Sequence, residues 1–235
     1  MPWVPALIRV GHKGANLLVP GNTQESFAAA LEQGVDMIEF DVLRARDGRL
    51  VLAHDYADAE ARECLTMEQG LDLFAEEAYS GVELDVDLKL PGYEREVAQA
   101  LAERGLSRRA LVSTMYTQSL DRLGELDPVL RRGWSVPQVK RDYTRGVLAV
   151  PAYGVVRIMR ARLPKQAAAR IRAGGCEALM ANRLIVSPRL VRAVHDAGGT
   201  VYVWTVDDAR QIARFEAMGV DAVISNDPRL FGPRA

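Results

Sequence analysis

Three segments in the first quarter of the chain carry the side chains best suited to chemistry. They are Val10-Gly11-His12-Lys13-Gly14-Ala15, Met37-Ile38-Glu39-Phe40-Asp41-Val42 and Leu52-Ala53-His54-Asp55. Two of the chain's three histidines stand here, each at the end of an apolar run with strand character. An imidazole titrates near neutrality and can trade protons. Two imidazoles beside an alternating pair of carboxylates form the inventory of a metal-assisted phosphodiester cleavage: an acid, a base and a cradle for a cation. His12 alone would read as a core histidine bonded to a carbonyl; the second histidine and the carboxylates reverse that reading.

Residues two apart on a strand share a face, about 7 Å apart along it. Glu39 and Asp41 therefore point the same way, with Ile38, Phe40 and Val42 on the other side. Carboxylates on an inner face need a positive partner. That partner is either a lysine or a hard divalent cation, Mg²⁺ or Ca²⁺, which takes oxygen ligands. A second polar alternation, Glu83-Leu84-Asp85-Val86-Asp87-Leu88-Lys89, puts Glu83, Asp85, Asp87 and Lys89 on one face. Asp87 and Lys89 lie nearest the strand's C-terminal end, placed to supply a third metal ligand and a cation for a phosphate oxygen. Glu83 and Asp85 lie deeper and are expected to pair with inward-facing basic residues. Trp204, near the end of Val201-Tyr202-Val203-Trp204-Thr205, either walls a pocket or packs the top of the fold. His195 falls in a helical pattern and reads as a surface or helix-end residue.

These residues need elements to hold them. Short apolar runs alternate with amphipathic helical patterns, the signature of a parallel sheet with crossover helices. Strand candidates are Leu7–Gly11, Asp36–Val42, Val82–Leu88, Ala110–Ser113, Val129–Trp134, Ala178–Ala181, Val201–Thr205 and Ala222–Ser225. Eight strands in 235 residues fit an α/β fold of the TIM (β/α)8 barrel type, read as a single domain over residues 1–235. Asp47-Gly48 marks a tight turn, so flanking segments form a hairpin that delivers His54. Asn22-Thr23-Gln24-Glu25 opens a helix with a side-chain cap, and Ser187-Pro188 opens a later one. Val136–Leu163, which holds the apolar run Val147–Val156, fits strand, loop or helix.

The formal net charge is −1, with 26% charged and 49% hydrophobic residues. That balance gives no electrostatic case for nucleic acid. Cys64 and Cys176 form no metal or redox spacing and read as reduced thiols. The N-terminus lacks a signal-peptide pattern and no run reaches the length of a membrane span, so a cytoplasmic location is expected. Basic residues crowd 157–172; a solvated helix face is the default reading, and a peripheral membrane contact the alternative. Serine-hydrolase, dinucleotide, P-loop and zincin motifs are absent from the sequence.

Taken together, these motifs resemble the glycerophosphodiester phosphodiesterase family. The matching segments are His12-Lys13-Gly14-Ala15, Pro20-Gly21-Asn22-Thr23, Gly34 through Val42, Asp47-Gly48, His54-Asp55, Asp87-Leu88-Lys89, Val203-Trp204-Thr205-Val206 and Gly219 through Pro228. The resemblance implies a TIM barrel that hydrolyses glycerophosphodiesters to sn-glycerol 3-phosphate and an alcohol. It implies one divalent cation on Glu39, Asp41 and Asp87, an acid/base pair of His12 and His54, and substrate contacts from Lys13, Lys89 and Trp204. Three positions depart from the family pattern. Lys13 stands for an arginine and loses its bidentate fork. Asp87 stands for a glutamate, and Gly21 for the glutamate of the Pro-Glu-Asn-Thr motif. The segment after His54 is also short where the family carries an insertion, which predicts a more open site. Two other readings stand beside this one: a phospholipase D-like enzyme on lysophospholipids or sphingolipids, suggested by the short segment and the basic 157–172 stretch, and a catalytically weak barrel that binds phosphodiesters, suggested by Lys13, Gly21 and Asp87. Oligomeric state leaves no mark in the sequence.

Overall fold

The computed structural model describes residues 6–137 and 149–232. Eight parallel strands close on themselves: β1 (Ile8–His12), β2 (Met37–Arg44), β4 (Glu83–Leu88), β5 (Ala110–Thr114), β6 (Arg131–Val136), β7 (Ala178–Asn182), β8 (Thr200–Trp204) and β9 (Ala222–Ser225). The sheet runs β1-β9-β8-β7-β6-β5-β4-β2, and β1 pairs back onto β2, which closes the TIM barrel. The short strand β3 (Leu50–Val51) pairs antiparallel with the end of β2, Leu43 opposite Val51 and Arg44 opposite Leu50. This is the hairpin predicted at Asp47-Gly48, with Gly48 at φ 90° in the turn.

Helices α1 (Gln24–Glu32), α2 (Tyr56–Ala61), α3 (Met67–Phe74), α4 (Glu94–Glu103), α5 (Thr117–Leu126), α6 (Ala149–Arg172), α7 (Pro188–His195) and α8 (Ala209–Met218) complete the described elements, with three short 3-10 turns. The cap of α1 is Thr23, whose hydroxyl accepts the Ser26 N–H; Asn22, grouped with that cap in the sequence reading, has another task at the site. Ser187 caps α7 as expected, with Pro188 in its first turn. Between His54 and β4 the chain spends its short segment on α2, α3 and a single 3-10 turn. Part of the uncertain stretch Val136–Leu163 is settled: residues from 149 onward belong to α6, which tolerates Pro164 in its interior, while 138–148 lie outside the described residues.

Alternation along the strands sorts the side chains. Ile38, Phe40 and Val42 point outward into the layer under the helices, where Phe40 stacks on Phe74 at 5.0 Å and meets Phe27 edge-on at 6.1 Å. A second layer under α6 and α7 packs Leu163, Ala167 and Ile171 on Leu179, Leu190 and Val194. The barrel's own interior is closed at its lower end by Val10, Met37, Leu111, Ala178, Met180, Tyr202, Ala222 and Ile224. Above this apolar floor the inward positions turn polar, and the polar layer opens at the strands' C-terminal ends.

Candidate active site

Parallel register brings the polar alternations of β2 and β4 side by side: Glu39 lies opposite Asp85, and Asp41 opposite Asp87. On the other side His12, the last residue of β1, lies opposite Glu39. Glu39, Asp41 and Asp87 each offer a carboxylate oxygen, all within 4.8 Å of one another. Donors on opposite sides of a Mg²⁺ or Ca²⁺ ion stand about 4–5 Å apart, so the set fits a hard cation in both spacing and donor type. Lys89 Nζ lies 2.5 Å from Asp87 Oδ2 and is also ion-paired with Asp41.

The charges settle one another. Burial works to raise Asp41, but the Lys89 and Lys13 ammoniums outweigh it and hold this carboxylate well below its usual range. Glu39 moves the other way, raised by burial and by the neighbouring Asp41. Burial alone would depress Lys89, yet Asp41, Asp87 and Glu39 around it keep it firmly charged. Asp85 is 1% exposed and is pushed up to about 8 by burial. It has no ion-pair partner among the described residues, which corrects the expectation of a basic partner. Glu83 does have one: Arg131 Nη2 lies 2.8 Å away. The difference is depth of supply, because Asp85 faces Ser113 and the cavity instead of a guanidinium.

The loop after β1 is built around Glu39. Lys13, at φ 53°, donates its backbone N–H to Glu39 Oε2 at 2.8 Å, and its Nζ stands 3.6 Å from Asp41 Oδ2. Gly14 follows at φ 81°, where an added Cβ would come within 2.4 Å of Ser26 Oγ. Asn22, 1% exposed and at φ 59°, clamps Asp41 from both sides. Its Nδ2 donates to Asp41 Oδ2 at 2.8 Å, and its Oδ1 accepts the Asp41 N–H at 3.1 Å.

The two histidines differ in surroundings. His12 is lowered to about 4 by burial and by Lys13, and is therefore neutral at pH 7; its Nε2 stands 3.8 Å from Glu39 Oε2. His54 is half exposed, with Nδ1 3.1 Å from Asp55 Oδ2 and its backbone N–H donated to Asp58 Oδ2 at 3.0 Å. Asp55 also caps α2, so the helix start fixes the carboxylate that holds the ring.

A cavity of about 180 Å³ collects these groups. His12, Glu39, His54, Asp87, Lys89 and Trp204 line it, together with Asp85, Ser113, Ser135, Met115, Met180, Thr205 and Ile224. Trp204 is held as one wall, its Nε1 donating to the Met180 carbonyl at 3.0 Å. Lys13 and Asp41 stand behind this surface, and Lys13 instead lines a neighbouring cleft of about 370 Å³ that shares His54. His195 is far from this group: it ends α7 and pairs with Asp221 at 2.8 Å.

Sequence reasoning missed the amide and carboxylate supports: Asn22 on Asp41, Asn226 on His12 at 2.6 Å, and Asp207 on Asn226. A lone asparagine in a polar loop gives no periodic signal. Asn22 and Asn226 lie within the Pro20-Gly21-Asn22-Thr23 and Gly219 through Pro228 segments, but nothing in those segments identifies their partners.

The chain matches the model of the glycerophosphoryl diester phosphodiesterase family over residues 12–89 and 76–230. A glycerophosphodiester phosphodiesterase of Caldanaerobacter subterraneus subsp. tengcongensis is 26% identical to it over 251 residues, covering 93% of each chain. A glycerophosphodiester phosphodiesterase of Bacillus altitudinis is 23% identical, over 92% of this chain and 93% of its own. Among solved structures, that of a glycerophosphodiester phosphodiesterase from Parabacteroides distasonis superposes with a TM-score of 0.73 at 19% identity, over 95% of this chain and 94% of the other. An Oleispira antarctica phosphodiesterase, solved in complex with the product sn-glycerol-3-phosphate, gives 0.68 at 20% identity, over 94% and 93%. These two share the fold; the family match extends from His12 on β1 to the last turn. The chain belongs to the glycerophosphoryl diester phosphodiesterase family of enzymes.

Proposed function

We propose that this protein hydrolyses glycerophosphodiesters to sn-glycerol 3-phosphate and an alcohol. The observation that carries the reading is the meeting of His12, His54, Glu39, Asp87 and Lys89 around a single cavity at the strands' C-terminal ends, with the Asp41 carboxylate clustered just behind them. Glu39, Asp41 and Asp87 are the residues that would hold one divalent cation, Mg²⁺ or Ca²⁺. When bound, that ion supplies charge stabilisation at the phosphoryl oxygens.

His12 enters the reaction neutral, with its Nε2 free, and is suited to take the proton of the glycerol 2-hydroxyl. The hydroxyl oxygen then attacks phosphorus. His54, at the cavity edge and accessible to solvent, donates a proton to the departing alcohol oxygen as its bond to phosphorus breaks. Water opens the resulting cyclic phosphate with the two imidazoles in exchanged roles, which restores both. Lys89, fixed by Asp41 and Asp87, presents positive charge to a non-bridging oxygen. Lys13 adds charge from behind Asp41, and Trp204 walls the substrate. A cavity of about 180 Å³ matches the small glycerophosphate half of the molecule and leaves the alcohol outside it. A cytoplasmic location goes with this reading; the free thiols Cys64 and Cys176 suit a reducing compartment.

The test is a product-resolved assay on glycerophosphocholine, glycerophosphoethanolamine and lysophosphatidylcholine with Mg²⁺ or Ca²⁺. Release of sn-glycerol 3-phosphate, abolished by chelator and by His12→Ala or His54→Ala, is the expected outcome. Preference for the lysolipid moves the activity to the phospholipase D-like reading. Calorimetric binding of a diester with no product moves it to a binding barrel.

A further inference from the structure

The basic stretch singled out in the sequence plays no part in the site, and the fold gives it a shape. Residues 157–195 hold nine of the chain's 30 Lys and Arg but only one of its 31 Asp and Glu, in a chain of net charge −1. The single acid, Glu177, is consumed by Arg132, which reaches its two oxygens at 2.6 and 3.2 Å. The cations are not scattered. Ile158, Arg162, Lys165, Ala169 and Arg172 recur at helical spacing on α6, and all are exposed, while Leu163, Ala167 and Ile171 face the core. α7 packs against α6 and adds exposed Arg189 and Arg192.

What sets this face apart is the gathering of unpaired cations on one pair of helices, whereas many arginines elsewhere are matched by acids. Arg44, Arg46, Arg49, Arg62, Arg104 and Arg122 each meet a carboxylate at 2.5–2.9 Å. Among the described residues, no carboxylate lies within ion-pair distance of Arg157, Arg162, Lys165, Arg172, Arg189 or Arg192. Within the outward stripe Ile158 is 55% exposed, one of few large apolar side chains left in solvent among the described residues. Its end of α6 lies at the rim of the site. Arg160 Nε donates to the Leu184 carbonyl at 2.9 Å; the adjacent Arg183 donates its N–H to Trp204 O and its Nε to Thr205 O. Trp204 and Thr205 line the cavity. An unpaired cationic stripe with an apolar residue at its head, lying beside a cavity entrance, has the composition of an interfacial helix.

We propose that the outer face of α6 and α7 docks on an anionic lipid surface and holds the cavity mouth at the level of the headgroups. The charge complementarity is with the phosphate-rich, negatively charged plane of a bilayer. Ile158 supplies the contact that a purely polyanionic partner would not use. The inference rests on the surface and not on the reaction assigned to the cavity.

The test is co-sedimentation of the full chain with phosphatidylserine-containing vesicles and with pure phosphatidylcholine vesicles, at low and physiological salt. Binding to the anionic vesicles only, weakened by salt, is expected. Arg157→Glu/Arg162→Glu/Lys165→Glu should weaken it on the order of a hundredfold, and Ile158→Ser should lower the fraction retained at physiological salt. Arg95→Glu/Arg108→Glu, on exposed positions elsewhere, should leave it unchanged. Turnover of a water-soluble glycerophosphodiester is read in the same variants. Its absence in the unmodified chain counts against the hydrolytic reading, and leaves the docking result to stand by itself. Equal binding to both vesicle types, binding kept by the triple variant, insensitivity to Ile158→Ser, or preference for duplex DNA over the anionic vesicles would each overturn the proposal.

Discussion

His12 and Asn226, 214 residues apart in sequence, meet at 2.6 Å between the imidazole Nδ1 and the amide Oδ1. Asp207 decides what that contact is. Its carboxylate can only accept, and it takes the Asn226 Nδ2 at 2.7 Å and the Asn226 N–H at 2.8 Å. The amide oxygen therefore faces the ring, joined there by Asn16 Nδ2 at 3.1 Å. An oxygen acceptor requires a proton on His12 Nδ1, which leaves Nε2 unprotonated toward the cavity. A carboxylate, acting through an amide, thus selects the tautomer that can serve as a base.

Removing that selection should slow the reaction without loosening substrate. Asn226→Ala frees the ring to rotate and to carry its proton on either nitrogen. We expect kcat to fall about tenfold to a hundredfold with KM little changed. Asp207→Asn should give a smaller loss of the same kind. Steady-state kinetics provide the measurement, and nitrogen chemical shifts of the His12 ring report the tautomer directly. A rise in KM at constant kcat would mean that Asn226 contacts substrate instead.

Lys89 supplies the counter-charge that lets Asp41, fully buried, stay ionised beside Asp87 and Glu39. Lys89→Met leaves that carboxylate group with only the more distant Lys13 ammonium to offset it, at a cost of about 3 kcal/mol in metal-free protein. A drop in melting temperature on the order of 10 °C is expected for a chain of this size. Adding Mg²⁺ or Ca²⁺ should then raise the melting temperature of the variant more than that of the unmodified protein, because the ion replaces the missing charge. Activity is lost in either condition. An unchanged melting temperature with chelator present would show that Lys89 is not the balancing charge.

Much of this arrangement is legible in the sequence alone, and the part that is not has a common cause. Alternation along Glu39–Asp41 and Glu83–Lys89 sufficed to place the carboxylates on an inner face, since the period of a strand admits no other outcome. Asp47-Gly48 foretold the hairpin, and the apolar runs foretold all eight barrel strands, with β6 displaced two residues toward the C-terminus from Val129–Trp134. Asn22, Asn226 and Asp207 act through single side-chain contacts across loops, which leave no period to read. Asp85 was misjudged for a related reason: its strand position was correct, but whether a cation would meet it depended on β5, which offers Ser113 there. Val147–Val156 carried competing strand and helix signals, and from residue 149 the burial of the later α6 turns resolved them.

Asp85 gives the protein a pH dependence with a definite sign. Its folded carboxyl, pushed up to about 8 from an ordinary 3.8, keeps a proton that the unfolded chain has already lost. The native state therefore binds more protons than the unfolded state from about pH 4 to about pH 8, and stability falls as pH rises through that window. The loss attributable to this group is on the order of 6 kcal/mol across the whole window. Asp85→Asn keeps the shape and removes the proton, so the variant should gain on the unmodified protein as pH rises from 5 to 8. Denaturant melts with chelator present measure the difference. Parallel stability curves for the two proteins would refute this account of Asp85.

Gly21 occupies the place where the family pattern has glutamate, and restoring the glutamate should not restore anything. A Cβ added at Gly21 would stand 2.5 Å from Asn16 Oδ1 and 2.6 Å from Lys13 Cβ. Asn16 cannot simply turn aside, because its Oδ1 accepts the Gly21 N–H at 3.0 Å while its Nδ2 holds Asn226. Lys13 is equally constrained, with its backbone on Glu39 and its ammonium near Asp41. Gly21→Glu is therefore expected to cost about 1–3 kcal/mol by overpacking. It should also lower kcat, because the displaced groups are those that hold His12 and Glu39. Gly21→Ala should show most of both effects, since the collision is with the first side-chain carbon. Thermal melts and steady-state rates on the two variants decide the matter. A Gly21→Glu protein as stable and as fast as the unmodified one would mean that the loop after β1 yields more readily than its hydrogen bonds imply.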